Sequence, residues 1–530
     1  MKKYNLALIK ILFFLLFYSL GTQCYCQQIT AGPIVGAVTD SSAQLLFITD
    51  VVSGGYIKVS TYPININNEL LNNTTDVENT ILHTFEIKDS IYKVCTEKIN
   101  FLKPFTTYYY LAHFGKSNKF GSFKTFPDKN YKNDFSFTLG SCTEQHHDDS
   151  IFIEMQKHTP LFFLHLGDWL YTNNFNERKF YYAESLAHQA ELYNKRYAMP
   201  NLQKMLQCTP IDFVFDDEDG VYDDFSNKSY TVLKMNGKHT DIQEIEYPDS
   251  LKQHIIEGLH TFFPSYNNSQ NKAYHSFVCG NAEIFFLDTR STRSANTESF
   301  RLAKSGRWKY KVPKGHLILD TTQMNWLLDG LKNSTADWKF IVSGVTFNQS
   351  YKKVLDICLR AQKRILPNGM NGAYVAASLA SMWFAFPESQ VKLLNYCHEQ
   401  KIQNVIVLSG DAHTAAIDNG KNAGFPELMA GGLAQKNSKL AGIIKNNLRL
   451  NLWNKGGQGI GNTNYNDAFG EVTVHQKDSV TLAAIDKYGA EICSYTIKSG
   501  FIPQKYAYRP RTTIKKIRAL KNLLKIALHL

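Results

Sequence analysis

Short, continuous apolar runs recur along the chain from residue 134 onward: Phe135–Leu139, Leu161–Leu166, Ile211–Phe215, Ile284–Leu287, Phe340–Val345 and Val405–Leu408. Between several of them lie longer segments with apolar residues at helical spacing, such as Glu184–Tyr197 and Thr322–Leu331. Unbroken apolar strands alternating with helices predict an α/β core whose sheets are covered on both faces. Residues 29–126 have a different rhythm. Ala43–Thr49 and Tyr56–Ser60 alternate or run apolar as strands, and Asp40-Ser41-Ser42 and Ser53-Gly54-Gly55 mark turns. Further on, Leu102-Lys103-Pro104-Phe105-Thr106 leads into Tyr108-Tyr109-Tyr110 and then Phe120–Pro127. Strands this short and this closely spaced predict a small β-sandwich, and no titratable cluster in it suggests more than a scaffold. The segments 173–210, 225–280 and 346–400 read largely as loops that would shape a pocket.

The two ends carry patterns of their own. Lys2 and Lys3 precede an apolar run from Ile11 to Leu20, followed by Gly21, Thr22, Gln23, Cys24, Tyr25 and Cys26. This predicts a signal peptide over residues 1–26, cleaved after Cys26, and hence a secreted or periplasmic protein. The uninterrupted run falls short of the ~20 residues that span a bilayer, which disfavours an uncleaved anchor. Gln23, where a small residue would be expected, weakens a lipoprotein reading. Residues 505–530 hold eight basic residues and no acid, with Ile517, Leu520, Leu523, Leu524 and Leu528 at roughly helical spacing. A basic amphipathic helix of this kind either touches anionic lipid or a partner, or docks on its own domain.

Composition sharpens this picture. The chain has 530 residues, 20% of them charged and 13% aromatic, which excludes a disordered, collagen-like or coiled-coil protein. The net charge of +11 invites a nucleic-acid reading. Removing Lys2, Lys3 and Lys10 and the eight basic residues of 505–530 leaves 11 − 3 − 8 = 0 for residues 27–504. The body of the protein is balanced, so nucleic-acid binding through it has no support. Of nine cysteines, seven remain after residue 26. An odd number leaves at least one thiol outside any intramolecular disulfide. The sequence specifies no oligomeric state.

In α/β sheets, ligands gather beyond the carboxyl ends of the strands. Five apolar runs are followed there by polar residues: Gly140-Ser141-Cys142, Gly167-Asp168-Trp169-Leu170-Tyr171, Asp216–Asp224, Asp288-Thr289-Arg290-Ser291, and Ser409-Gly410-Asp411-Ala412-His413. Singly, each has a plain alternative. A Gly-Asp pair is often an Asx turn, a lone histidine a hydrogen-bonding partner, a lone cysteine a small buried hydrophobe. The acidic run lacks the alternating ligand spacing and terminal glutamate of an EF-hand. Taken together they predict one shared metal site.

In this order the motifs resemble the PhoD-like (alkaline phosphatase D) branch of the calcineurin-like metallophosphoesterases, and the resemblance covers roughly residues 30–500. It implies a fibronectin-III-like β-sandwich over 29–127, then a calcineurin-like metallophosphatase α/β sandwich over 134–500, with the basic tail at 505–530. It implies a secreted phosphodiesterase or phosphomonoesterase using Fe(3+) and Ca(2+). Cys142, Tyr171 and Asp168 would hold the iron, with Asp168, also a catalytic residue, bridging toward calcium. Asp411 and His413 would complete the cluster, and Asp216, Asp217 and Asp223 would supply calcium oxygens. The donor types agree, since ferric iron suits phenolate, carboxylate and thiolate, and calcium wants several oxygens. Arg290 is either a catalytic clamp on the phosphate of a mono- or diester substrate, or a structural ion pair with Asp288 or another acid. Two positions depart from the family pattern: Glu218 stands where histidine is usual, and Asp223 where asparagine is usual. Two other readings compete. One is a Zn(2+) or Mn(2+) two-metal centre, which Cys142 and the single His413 disfavour. The other is a non-catalytic surface protein.

Overall fold

In the computed structural model, the apolar runs of the second region become strands with both faces buried. The structure describes residues 28–64, 80–87, 91–131, 133–144, 148–171, 185–220, 226, 229–236, 239–246, 249–266, 272–305, 307–361, 372–434, 448, 450–456 and 467–505. The expected signal peptide and nearly all of the basic tail lie outside these residues, and so does Asp223.

The first seven strands are β1 (Ile29–Gly36), β2 (Ala43–Thr49), β3 (Gly54–Ser60), β4 (Thr80–Glu86), β5 (Val94–Ile99), β6 (Thr107–Phe114) and β7 (Ser117–Lys124). They form two antiparallel sets, β1-β2-β5 and β4-β3-β6-β7. Leu45 and Phe47 of the first set and Ile57, Val59, Tyr110 and Ala112 of the second belong to one buried apolar cluster. In β3 the alternation read from the sequence is that of inward and outward faces, whereas β2 is buried on both, with Leu46 and Ile48 in a second cluster. The first set does not end at its own edge. Gly36 of β1 pairs in parallel with Ile211 in β10 (Ile211–Phe213), so these three strands continue the central sheet.

The central architecture uses β8 (Phe135–Thr143), β9 (Phe163–His165), β10, a hairpin of β11 (Ser229–Asn236) and β12 (His239–Glu246), β13 (His275–Cys279), β14 (Ala282–Phe286), β15 (Phe300–Leu302) and β16 (Trp308–Tyr310). It continues with β17 (Trp338–Ser343), β18 (Val405–Ser409), β19 (Ala415–Asn419), β20 (Pro426–Ala434), β21 (Lys455–Gly456), β22 (Ala468–His475), β23 (Ser479–Asp486) and β24 (Glu491–Lys498). The main path runs β13-β14-β17-β18-β20-β8-β9-β10-β1-β2-β5. β8 is the seam. Its first half pairs antiparallel with β22, while Ser141 and Thr143 pair in parallel with β20.

This path folds back on itself, because alternate residues of each strand face different cores. Leu139, Leu164, Ile284, Phe340, Val342, Ile406 and Leu408 share the inner cluster. Phe285, Ile341 and Val407 face outward on one side, onto helices α6 (Thr321–Asn333), α7 (Lys352–Arg360) and α9 (Pro387–Glu399). On the other side Phe163, Ile211 and Phe213 meet α1 (Ile151–Lys157), α2 (Leu186–Tyr197), α3 (Pro200–Leu206) and α5 (Asp249–Phe262). Two further short helices are α4 (Asp217–Gly220) and α8 (Gly372–Leu379). The four layers are helix, sheet, sheet, helix, as the doubly apolar strands required. Among the described residues no helix is long and apolar enough to cross a membrane.

The segments read as loops prove partly regular. Residues 173–210 contain α2, as the spacing over Glu184–Tyr197 predicted, and also α3; 225–280 contain the β11–β12 hairpin and α5, and 346–400 contain α7, α8 and α9. Pro200 at the first turn of α3 and Pro387 at that of α9 are start signals of the helix, where a missing N–H costs nothing. All seven cysteines after residue 26 are free, so no disulfide constrains the fold there.

Glu427 on β20 ties the strand ends together. Its Oε1 accepts from Ser409 Oγ at 2.6 Å, Thr346 Oγ1 at 2.8 Å and Phe347 N–H at 2.9 Å. Burial pushes its carboxyl up to about 7, against the lowering effect of these donors. An unfolded glutamate ionises lower, so between the two values the folded state holds the extra proton and loses stability as pH rises. Comparing wild type with Glu427→Gln by chemical denaturation, the wild type should lose ground from pH 5 to pH 7, by up to about 1.4 kcal/mol per pH unit. A difference that stays flat over that range would show that the carboxyl titrates normally.

Candidate metal centre

The carboxyl ends of β8, β9, β10, β14 and β18 open onto one edge of the molecule, and three of them, those of β8, β9 and β18, turn there through an unusual backbone. Cys142 has φ 62°, Asp168 59°, Tyr171 49°, Asp411 67° and His413 44°. Left-handed backbone costs a non-glycine residue roughly 1–2 kcal/mol, so it persists only where the surroundings enforce it. Here it turns side chains from five strand-end positions toward a common volume. Room for them comes from glycine. A Cβ on Gly167, itself at φ 102°, would meet Asp216 Cβ at 2.4 Å, and one on Gly344 would meet Asp216 Cγ at 2.6 Å.

Two groups of ligand-type atoms result. A sulfur, oxygen and nitrogen of Cys142, Asp168 and His413 all lie within 4.8 Å of one another. Oxygens of Asp168, Asp216, Asp217 and Asp411 do the same. Asp168 belongs to both. Its Oδ2 is 3.3 Å from Cys142 Sγ and 3.4 Å from the Tyr171 hydroxyl, and its Oδ1 accepts Glu218 N–H at 3.4 Å. Ser141 Oγ sits 3.1 Å from Cys142 Sγ.

Arg290 lies against the second group. Its guanidinium, fully buried, pairs through Nε with Asp216 Oδ1, through Nη1 with Asp217 Oδ2 at 3.2 Å, and through Nη2 with Asp411 Oδ1 at 3.8 Å. The ion pair foreseen for Arg290 therefore exists, but with these acids and not with Asp288. The Asp288 carboxylate instead holds its own turn, accepting Arg290 N–H at 3.0 Å, Ser291 N–H at 2.9 Å and the Ser291 hydroxyl.

The charges are far from their ordinary state. Burial, followed by the charges of Cys142, Asp217, Asp216 and Glu218, holds the Asp168 carboxyl well above the usual range. Burial raises Asp216 to about 6, with Arg290 pulling it down and Asp217 pushing it up. Burial pushes the Cys142 thiol up to about 12. Burial disfavours the Arg290 cation, yet Asp216, Asp217 and Asp411 outweigh it and hold the guanidinium charged. Asp216 Oδ2 is buried without a hydrogen-bond partner. An orphaned carboxylate oxygen among crowded acids, beside thiol, phenol and imidazole, fits a cation.

Of the residues expected from the sequence, Cys142, Asp168, Tyr171, Asp216, Asp217, Asp411 and His413 converge. Asp223 lies outside the described residues. The sequence reading missed Asp219, whose buried carboxylate accepts the backbone N–H groups of Asp168, Trp169, Leu170 and Asp216. It also missed Arg196 of α2, which is buried, donates to the Thr143 carbonyl and lies over the Trp169 ring at 5.4 Å from its centroid. A basic residue facing the core of an amphipathic helix was the available signal for Arg196. For Asp219 there was none beyond its place in an acidic run.

A model of the PhoD-like phosphatase family matches residues 137–483. Alkaline phosphatase D of Bacillus subtilis (strain 168) is 23% identical over 336 residues, covering 60% of this chain and 53% of that protein. The chain thus spans about half the length of this curated relative. Among solved structures, one of PhoD superposes with a TM-score of 0.64 at 15% identity, covering 94% of this chain and 98% of that one. The purple acid phosphatase PPD1 from yellow lupin seeds gives 0.52 at 11% identity, covering 88% and 74%. Both solved structures share the fold.

Removing the Arg290 charge should leave three acids uncompensated. Arg290→Met is expected to destabilise the metal-free protein by about 3–5 kcal/mol in chemical denaturation, and Arg290→Lys, which lacks the planar fork, to recover only part of that. Near-wild-type stability of Arg290→Met would mean that the guanidinium is not needed to balance these carboxylates.

Proposed function

We propose that this chain, which belongs to the PhoD-like phosphatase family, hydrolyses phosphate esters with metal ions held at the strand ends. The observation that carries the reading is Asp168, shared between a thiol–imidazole group and an all-carboxylate group of ligand atoms. Cys142, Asp168, Tyr171 and His413 would hold ferric iron. Asp168, Asp216, Asp217 and Asp411 would hold calcium, joined by Asp223. Bound there, such cations would neutralise phosphate oxygens and acidify water for attack on phosphorus.

The chain's own residues divide the remaining work. Asp168 sets the spacing of the two positions. Arg290 orients Asp216 and Asp217 and balances their charge, so it acts through the carboxylates and not as a free clamp on phosphate. Asp411 is 24% exposed at its side chain and His413 is partly exposed, so an ester would reach the site past these two residues. Glu218, in place of the usual histidine, removes an imidazole and adds a carboxylate whose charge reaches Asp168. An added negative charge there would favour the singly charged diester over the doubly charged monoester.

The three-against-four arrangement of β1-β2-β5 and β4-β3-β6-β7 supports a fibronectin-III-like N-terminal unit acting as scaffold. The basic start and apolar run before residue 26 support export, and the charge of 505–530 supports contact with an anionic membrane surface.

Release of the aryl alcohol from mono-aryl and bis-aryl phosphates, on protein analysed for metals, tests the assignment. Turnover is expected with bound iron and calcium, falling at least a hundredfold in Asp168→Ala. A visible charge-transfer band is expected, its phenolate component lost in Tyr171→Phe. Colourless protein without iron or calcium would sink the metal assignment, and absent turnover on metal-loaded protein would sink the enzyme.

A further inference from the structure

We propose that Asp219 is a positioning residue: its carboxylate fixes the backbone that aims Asp168 and Tyr171 at the metal positions. The inference rests on the metal-centre reading above and adds a residue that lies in neither group of ligand atoms.

One buried carboxylate gathers four backbone donors. Oδ2 accepts Asp168 N–H and Asp216 N–H, each at 3.0 Å. Oδ1 accepts Trp169 N–H at 2.5 Å and Leu170 N–H at 2.8 Å. An ionised carboxylate offers about four acceptor positions, so its capacity is used in full. The donors come from the ends of two neighbouring strands, β9 and β10, and the side chain locks one loop to the other.

That loop needs locking. Gly167, Asp168 and Tyr171 are all left-handed, a conformation the chain would leave if unsupported. Amides at 168, 169 and 170 held on a single anion leave the Asp168 and Tyr171 side chains little freedom of direction. Arg196 contributes positive charge on the same side, through its buried guanidinium against Trp169. Charge-assisted hydrogen bonds of this kind are about twice as strong as neutral ones, and an amide in place of the acid would turn an NH2 toward at least one of the donors.

Asp418 provides a matched control. Its Oδ1 accepts Gly420, Asn422 and Ala423 N–H at 2.8, 3.1 and 3.3 Å, in a turn at the far end of β19 from His413. Hydrogen–deuterium exchange on the metal-free protein reads the loop directly. In Asp219→Asn, amides 168–170 should exchange at least tenfold faster, while in Asp418→Asn they should not change. Asp219→Glu, which keeps the charge but displaces it by one methylene, should move in the same direction and serves if Asp219→Asn does not fold. Titration with ferric iron, followed in the visible, and with calcium should show at least tenfold weaker uptake in the Asp219 variants and none of this loss in Asp418→Asn. Wild-type exchange at 168–170 in the folded Asp219 variants, or wild-type uptake of both ions, would overturn the proposal. Wild-type protein that takes up neither ion counts against the metal reading instead, and the exchange result then decides alone whether Asp219 holds the loop.

Discussion

Four carboxylates within reach of one another, three buried and Asp411 partly exposed, are the constraint to which the rest of this fold answers. Asp168, Asp216, Asp217 and Asp411 cannot all be ionised away from water without positive charge beside them. Arg290 supplies one such charge from within the chain, paired with three of the four. The remaining deficit shows in the raised carboxyls of Asp168 and Asp216 and in the unpartnered Asp216 Oδ2. A protein folding for stability alone would replace such a cluster with apolar side chains of similar volume. Keeping it is explicable if cations complete it.

The layered architecture makes the cluster possible. Cys142 lies near the end of β8, and Asp168 and the Asp216 segment follow β9 and β10, while Asp411 and His413 follow β18 on the other side of the inner core. The two sets meet because β8 changes partner along its length, pairing with β22 first and with β20 at Ser141 and Thr143. The residue after Ser141 is Cys142, so the first ligand-type atom lies at the seam between the sheets. Behind it, Glu427 gathers Ser409, Thr346 and Phe347, and Asp219 gathers the loop after β9. Buried acids thus serve twice here, some as candidate ligands and some as anchors for the loops that carry them.

Much of this was legible because it is local. Doubly apolar runs such as Phe340–Val345 announce strands covered on both faces, and the residue types after each run announce a metal site. What escaped depends on contacts between residues far apart in the chain. Asp217 and Asp219 stand two apart in one acidic run, yet one faces Arg290 and the other faces backbone amides around Asp168. No spacing rule separates them. For Arg290 the sequence left a phosphate clamp and an ion pair open, and its partners, 73 to 121 positions away along the chain, could not be told from Asp288 two positions back. The pairing of β1 with β10 through Gly36 and Ile211 was equally invisible, because alternation within a strand says nothing about which neighbour it finds.

The most direct measurement is an anomalous difference map from crystals of the protein as purified, collected on both sides of the iron absorption edge. The account predicts an iron peak in contact with Cys142 Sγ, Asp168, Tyr171 and His413, with a second, non-iron cation among Asp168, Asp216, Asp217 and Asp411. A map featureless at both positions, in crystals of protein that still hydrolyses phosphate esters in the presence of a chelator, would contradict it.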